Sequence, residues 1–174
     1  YANGIDSSVV EPNPAQAKGI GNSTTMPTDA LSIEDMKPVL LKLCESVCAR
    51  LRKAHMYAGT ITVEIKYSNF HSCSHQIALP SPDYSSTVIH ETSLSLLQEL
   101  WNGTPVRLLG VRATRLTDET APIQLDLFSY QEHTGQTEKN RRLDKTIDAI
   151  RRKYGEGAIM RGSLLSHTDT HSSN

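Results

Sequence analysis

Val106-Arg107-Leu108-Leu109-Gly110-Val111-Arg112-Ala113-Thr114-Arg115-Leu116 reads as a β-strand with two opposed faces. Leu109, Val111 and Ala113 alternate onto one side, suited to a core, and Leu108, Gly110, Arg112 and Thr114 fall on the other. Arg107, Arg112 and Arg115 bring three positive charges, and no acid stands among the eleven residues. A glycine in mid-strand removes bulk where another backbone comes close. Close approach together with guanidinium groups suits a phosphate backbone. The stretch fits equally an ordinary edge strand with solvated arginines and a bulge at Gly110.

Working outward, Thr60 to Tyr67 alternates cleanly, with Ile61, Val63, Ile65 and Tyr67 on one side and Thr62, Glu64 and Lys66 on the other. Ser74 to Leu79 follows as a second strand, with Pro80-Ser81-Pro82 expected to end it. Lys18 to Met26 is strand-like, Ile20 and Met26 opposing Gly19, Gly21, Ser23 and Thr25. Ile33, Met36, Leu40, Leu43, Val47 and Leu51 keep helical spacing after Ser32, which forms a weak capping box with Asp35. Pro38 is expected to kink the first turn or to delay regular helix, and Gly59 to lie beyond the helix end. A second helix spans about Ser86 to Trp101, with Ile89, Leu94, Leu97, Leu100 and Trp101 inward and Gly103 stopping it.

The order strand, helix, strand, strand, helix, strand predicts an α+β fold. It is the βαββαβ pattern: a four-stranded, mostly antiparallel sheet with both helices on one face, plus a C-terminal helical extension. The other face stays open, presenting Gly19, Gly21, Ser23, Thr25, Thr62, Lys66, Ser74, Gln76, Gly110 and Arg112. A polar, mildly basic face without aromatic platforms favours contact with a duplex backbone over stacking of single-stranded bases.

The 174 residues carry a formal net charge of −1, so nucleic acid would have to meet local patches rather than a global field. No apolar run approaches membrane-spanning length, and no membrane partner is expected. The chain starts at Tyr1 without an apolar leader or an initiator Met, which reads as a piece of something longer and cytoplasmic. Three cysteines make no disulfide framework and read as reduced thiols. The seven histidines are scattered without ligand spacing, so no metal is expected. The expected division is a linker or arm over 1–16, a domain over 17–117, a loop over 118–137, an amphipathic helical segment over 138–165 and a disordered tail over 166–174. The helix, from about Glu138 to Tyr154, places Leu143, Ile147, Ile150 and Tyr154 on one stripe. Residues 139–153 hold seven Lys or Arg against two Asp, read either as a solvated face or as phosphate contact.

Several segments together resemble the bacterial Y-family translesion DNA polymerases (DinB/UmuC-like, ImpB/MucB/SamB family). Gly4-Ile5-Asp6 resembles the end of their thumb, Ile20 to Asp29 the first strand of their little finger domain, and Val106 to Arg112 its last strand. The order is consistent from about residue 1 to 165. The resemblance implies a little finger domain that grips primer–template DNA through its sheet. Gly21, Ser23 and Thr25 on the first strand and Arg107 and Arg112 on the last would carry the grip, with Lys66 and Arg115 adding charge. Where Leu108 stands, some members have arginine. The paired acidic motifs of a polymerase palm are not found, so the resemblance implies no catalysis and no cofactor in this fragment. The Mg2+ of the parent polymerase would sit in the absent palm, and the parent's palm, fingers and thumb would be partners of this domain.

Gln124-Leu125-Asp126-Leu127-Phe128 resembles the motif that binds the bacterial β sliding clamp. Leu127 and Phe128 would fill an apolar pocket while Gln124 and Asp126 fix the register. Ile123, Leu125 and Leu127 also alternate as any strand does. The motif is internal, with a helix after it. Two rival readings are an RNA-binding α/β module and an oligomerisation domain using apolar residues near Leu127.

Overall fold

The structure, a computed structural model, describes residues 18–118 and 130–162. The expected arm, the clamp-motif residues 124–128 and the tail lie outside the described residues. Strand β1 (Gly19–Ala30) leads into helix α1 (Ile33–Lys53), then strands β2 (Met56–Tyr67) and β3 (Ser72–Asp83). Helix α2 (Ser86–Leu100), strand β4 (Val106–Thr114), the two-residue strand β5 (Thr117–Asp118) and helix α3 (Tyr130–Tyr154) follow. The sheet runs β1-β4-β2-β3, antiparallel throughout, and β5 adds a fifth strand beside β2. The expected α+β class therefore holds, with one short strand more than the sequence pattern indicated.

One face of the sheet is sealed by α1 and α2. Ile61, Val63, Ile65, Leu109 and Ala113 are fully buried against Met36, Leu40, Val47 and Leu51 of α1 and Ile89 and Leu97 of α2. These are the residues that the period-2 and period-3.6 patterns single out. On α2, Leu96 is buried too, whereas Leu94, Leu100 and Trp101 are only half-buried. Ser32 caps α1 by accepting from the Asp35 backbone N–H, and the Asp35 carboxylate accepts from Leu31 N–H in return. Helix starts at Ile33 and continues through Pro38, so the proline does not delay it.

Three expectations about the strands are corrected. β4 is an interior strand between β1 and β2, and its register runs unbroken through Gly110. The bulge lies instead at Arg107, where Leu108 pairs with Lys66 but Val106 pairs with Tyr67. β3 does not end at Pro80: it is an edge strand, where proline's missing N–H costs no ladder bond, and it continues to Asp83.

α3 is the largest departure. It begins at Tyr130, inside the stretch expected to be loop. Its expected apolar stripe does not face a core, since Leu143 and Tyr154 are exposed. The inward stripe is polar: Arg141, Asp144, Asp148 and Arg151, spaced 3-4-3 along the helix. Arg52 of α1 donates to Asp148 (Nη2–Oδ1, 2.8 Å) and lies 3.5 Å from Asp144. Arg141 pairs with Asp83 at 3.1 Å, and Arg151 with Glu45 at 2.9 Å. Arg161, past the helix end, pairs with the same Glu45 and with Asp144.

Asp144 is 3% exposed, and its Oδ2 accepts from the Ser86 backbone N–H at 2.8 Å. Ser85, the N-cap of α2, makes no side-chain cap bond. α3 thus supplies from outside an acceptor for the first turn of α2, which also favours a negative charge there. Arg141 further lies over the stacked Tyr57–Tyr84 pair, 5.4 and 5.3 Å from the two ring centroids. Two of the basic residues of α3 are therefore used to dock the helix, an outcome neither reading of the charge run described.

All three cysteines are free thiols, Cys44 and Cys48 buried and Cys73 half-buried on β3. Burial pushes the Cys44 thiol up to about 12 and raises that of Cys48 as well. Among the described residues, no helix is long and apolar enough to cross a membrane.

Candidate nucleic-acid interface

The strand register sorts the open face into rows that cross the sheet from β1 to β3. Gly21, Arg112, Thr62 and Gln76 make one row. Ser23, Gly110, Glu64 and Ser74 make the next, and Thr25, Leu108, Lys66 and Ser72 the third. Most of these side chains are short, so the backbone lies near the surface. Backbone N–H groups and hydroxyls are the sequence-independent donors that phosphates take.

Glycine has a specific task at two points. A Cβ on Gly21 would stand 3.3 Å from both Cβ and Cγ of Arg112, its partner across the strands. Its absence lets the Arg112 stem lie across β1 with the guanidinium exposed. A Cβ on Gly110 would stand 3.2 Å from Ser23 Cβ, so the second row stays shallow. Arg50 of α1 reaches over the β1 edge and donates to the Gly21 carbonyl at 2.6 Å, adding a cation to that margin.

The candidate cations do not form one cluster. Arg107 and Lys66 lie at one end of the face, Arg112 and Arg115 toward the other. At about 3.3 Å per residue along β4, Arg107 and Arg115 are separated by roughly 25 Å. The bulge turns Arg107 out of the core-facing alternation. There its guanidinium meets the Asp29 carboxylate, Nε–Oδ1 at 3.1 Å and Nη2–Oδ2 at 3.3 Å. A phosphate at Arg107 would share it with this carboxylate. Arg115 takes a left-handed turn conformation, φ +50, with its carbonyl accepting from Gly59 N–H at 3.1 Å. A Cβ at Gly59 would stand 2.8 Å from that carbonyl oxygen, so glycine is what allows the turn to close. Glu64 is exposed on the second row, an acid in the middle of the face.

Sequence reasoning missed Phe70. The open face of the strands carries no aromatic residue, as expected, but the β2–β3 turn brings one to its end. Lys66 Nζ and the Arg107 guanidinium carbon lie 5.3 and 5.2 Å from its ring centroid.

Residues 17–127 match the model of the impB/mucB/samB family C-terminal domain. The chain belongs to this family. DNA polymerase IV of Clostridium acetobutylicum is 38% identical over 165 residues, covering 95% of this chain and 40% of that protein. DNA polymerase IV of Clostridium kluyveri is 35% identical over 170 residues, covering 95% of this chain and 42% of that protein. The chain thus spans about two-fifths of the length of these curated relatives.

Among solved structures, a complex of a beta-clamp processivity factor and the little finger domain of PolIV aligns with TM-score 0.50 and 22% identity. The alignment covers 63% of this chain and 97% of that one. A post-insertion binary complex of Dbh DNA polymerase aligns with TM-score 0.51 and 19% identity, over 57% of this chain and 29% of that one. At such identities the likeness establishes the fold of the family domain, and the site rests on the residues described above.

Proposed function

We propose that this chain is the DNA-gripping, clamp-docking module of a translesion DNA polymerase, with no catalytic step of its own. The observation that carries the reading is the open face of the family domain: rows of glycine, serine and threonine, with Arg112 laid across Gly21. Such a surface contacts sugar-phosphate backbone and reads no base edges. Gly21, Ser23, Thr25 and Lys66 present donors to it, and Arg107, Arg112 and Arg115 supply charge at its two ends. Nucleotidyl transfer, with its Mg2+, belongs to the parent's palm, against which this module would work together with fingers and thumb. The place of action is the cytoplasm, at damaged template.

The clamp reading rests on Gln124-Leu125-Asp126-Leu127-Phe128 and on the little finger–clamp complex to which the fold is similar. Tethering to a β sliding clamp raises the local concentration of DNA and offsets a weak grip.

Titration of this chain with primer–template DNA at several salt concentrations tests the proposal. Binding should be weak and indifferent to sequence, with a shallow salt slope of about 0.9 per phosphate neutralised. Affinities that differ widely between duplex sequences would end the backbone-grip reading. Replacing Leu127 and Phe128 together by Ala should abolish clamp binding and leave DNA affinity unchanged. Clamp binding at full affinity by that variant would remove the motif from the account.

A further inference from the structure

Phe70 bears two costs, offset among the described residues only by the Lys66 and Arg107 cations against its ring. Its φ is +65, a left-handed conformation that a bulky side chain seldom adopts and that hairpin turns normally give to Gly or Asn. The residue is also 64% exposed. The turn holds it there: Phe70 N–H donates to the Tyr67 carbonyl at 3.0 Å, and Tyr67 N–H to the His71 carbonyl at 2.9 Å. The Asn69 side chain accepts from His71 N–H at 3.0 Å. Strain of this kind persists where surrounding structure over-determines it, and it concentrates at ligand-contacting positions.

What surrounds the ring names the ligand. Lys66 and Arg107, the two cations at this end of the open face, both stand over the ring, 5.3 and 5.2 Å from its centroid. An exposed aromatic ring flanked by cations, at the end of a surface that follows a phosphate backbone, is the arrangement that holds an unstacked base next to its phosphates. Within duplex DNA both faces of each internal base are already covered by its neighbours, so away from the duplex ends the ring discriminates in favour of DNA with an unpaired base.

We propose that Phe70, with Lys66 and Arg107, forms a nucleobase-stacking site at one end of the DNA face, taking an unpaired base of the bound strand. The proposal rests on the DNA-gripping reading above. The cations swing from over the ring to the phosphates flanking that base, Arg107 sharing its guanidinium with Asp29, and the ring meets the base's π face.

The test compares blunt duplex with the same duplex carrying a single-stranded template overhang that includes 2-aminopurine. The native 174-residue chain should bind the overhang DNA about tenfold more tightly than blunt duplex and quench the 2-aminopurine. Phe70→Gly should lose both the preference and the quenching and keep blunt-duplex affinity. It should also raise the melting temperature, because glycine relieves the backbone strain. Phe70→Tyr, which keeps a ring, should retain the preference. Equal affinity for both DNAs in the native chain, or a preference that survives Phe70→Gly, would overturn the stacking site and leave the backbone grip standing. Failure of the native chain to bind either DNA would overturn both.

Discussion

On the open face of the sheet Arg112 lies exposed across Gly21, while behind the sheet Arg52, Arg141 and Arg151 each end on a carboxylate of another element. The two regions use one residue type for opposite ends. Behind the sheet, arginines are fixed to acids at places where burial makes a lone charge costly, so they hold α3 in position. On the open face, short side chains and exposed cations leave charge available to a partner. Arg107 stands between the two regimes: half-exposed, and already forked onto Asp29. Counting basic residues along the chain would rank α3, with seven Lys or Arg in fifteen residues, as the nucleic-acid element. Pairing reverses that ranking for Arg141 and Arg151.

If the regions are separate in function, they should come apart under mutation. Leu109→Ala opens a cavity in the shared core and should damage both, at a cost of about 2–5 kcal/mol. Chemical denaturation measures it, and a negligible change would mean that the two faces of β4 are reversed. Asp144→Ala should cost about 3 kcal/mol, because it strips the α2 first turn of an acceptor and leaves Arg52 and Arg161 with fewer partners. Hydrogen exchange should show protection lost from α3 and the start of α2, with DNA affinity unchanged. A parallel loss of DNA binding would join the two regions. Arg112→Ala should do the converse, leaving melting unaltered while weakening binding on every sequence and lowering the salt slope by about one.

The smallest effect concerns pH on the helical side. Burial lowers the pKa of His90 below its ordinary 6.5, and the Arg161 charge lowers it further, with Glu91 and Glu45 opposing. The unfolded chain therefore takes up this proton first as pH falls. The contribution of His90 to stability is complete above about pH 6.5 and is lost as pH drops below it. His90→Gln should flatten that part of a melting-temperature profile. An unchanged profile would assign the pH dependence to other groups.

The sheet and its two covering helices could be read from the chain because each is written in local periodicity. Ile61, Val63 and Ile65 announce a face by alternation, as Met36, Leu40, Val47 and Leu51 do by helical spacing. The run of β3 through Pro80 was hidden because only sheet order reveals that β3 is an edge. The docking of α3 left no local trace: Arg151 and Glu45 are 106 residues apart, and nothing in either neighbourhood names the other. At the interface, the alternation placed Gly21, Arg112 and Gly110 on the open face. The bulge at Arg107, the Asp29 fork and the arrival of Phe70 depend on pairing between distant strands, which no short window contains.

The burial of Cys44 and Cys48 has a practical side. Thiol reagents attack the thiolate, and burial both hides these two sulfurs and holds them protonated. Cys73 alone is left partly open, and its partner across the strands is Ile65, which faces the helices. A maleimide dye added to the native chain would therefore find a single address. It would sit at the sheet edge, on the side turned away from the open face. The unmodified sequence thus comes with its own place for a fluorescent reporter of DNA and clamp binding, clear of the face under test.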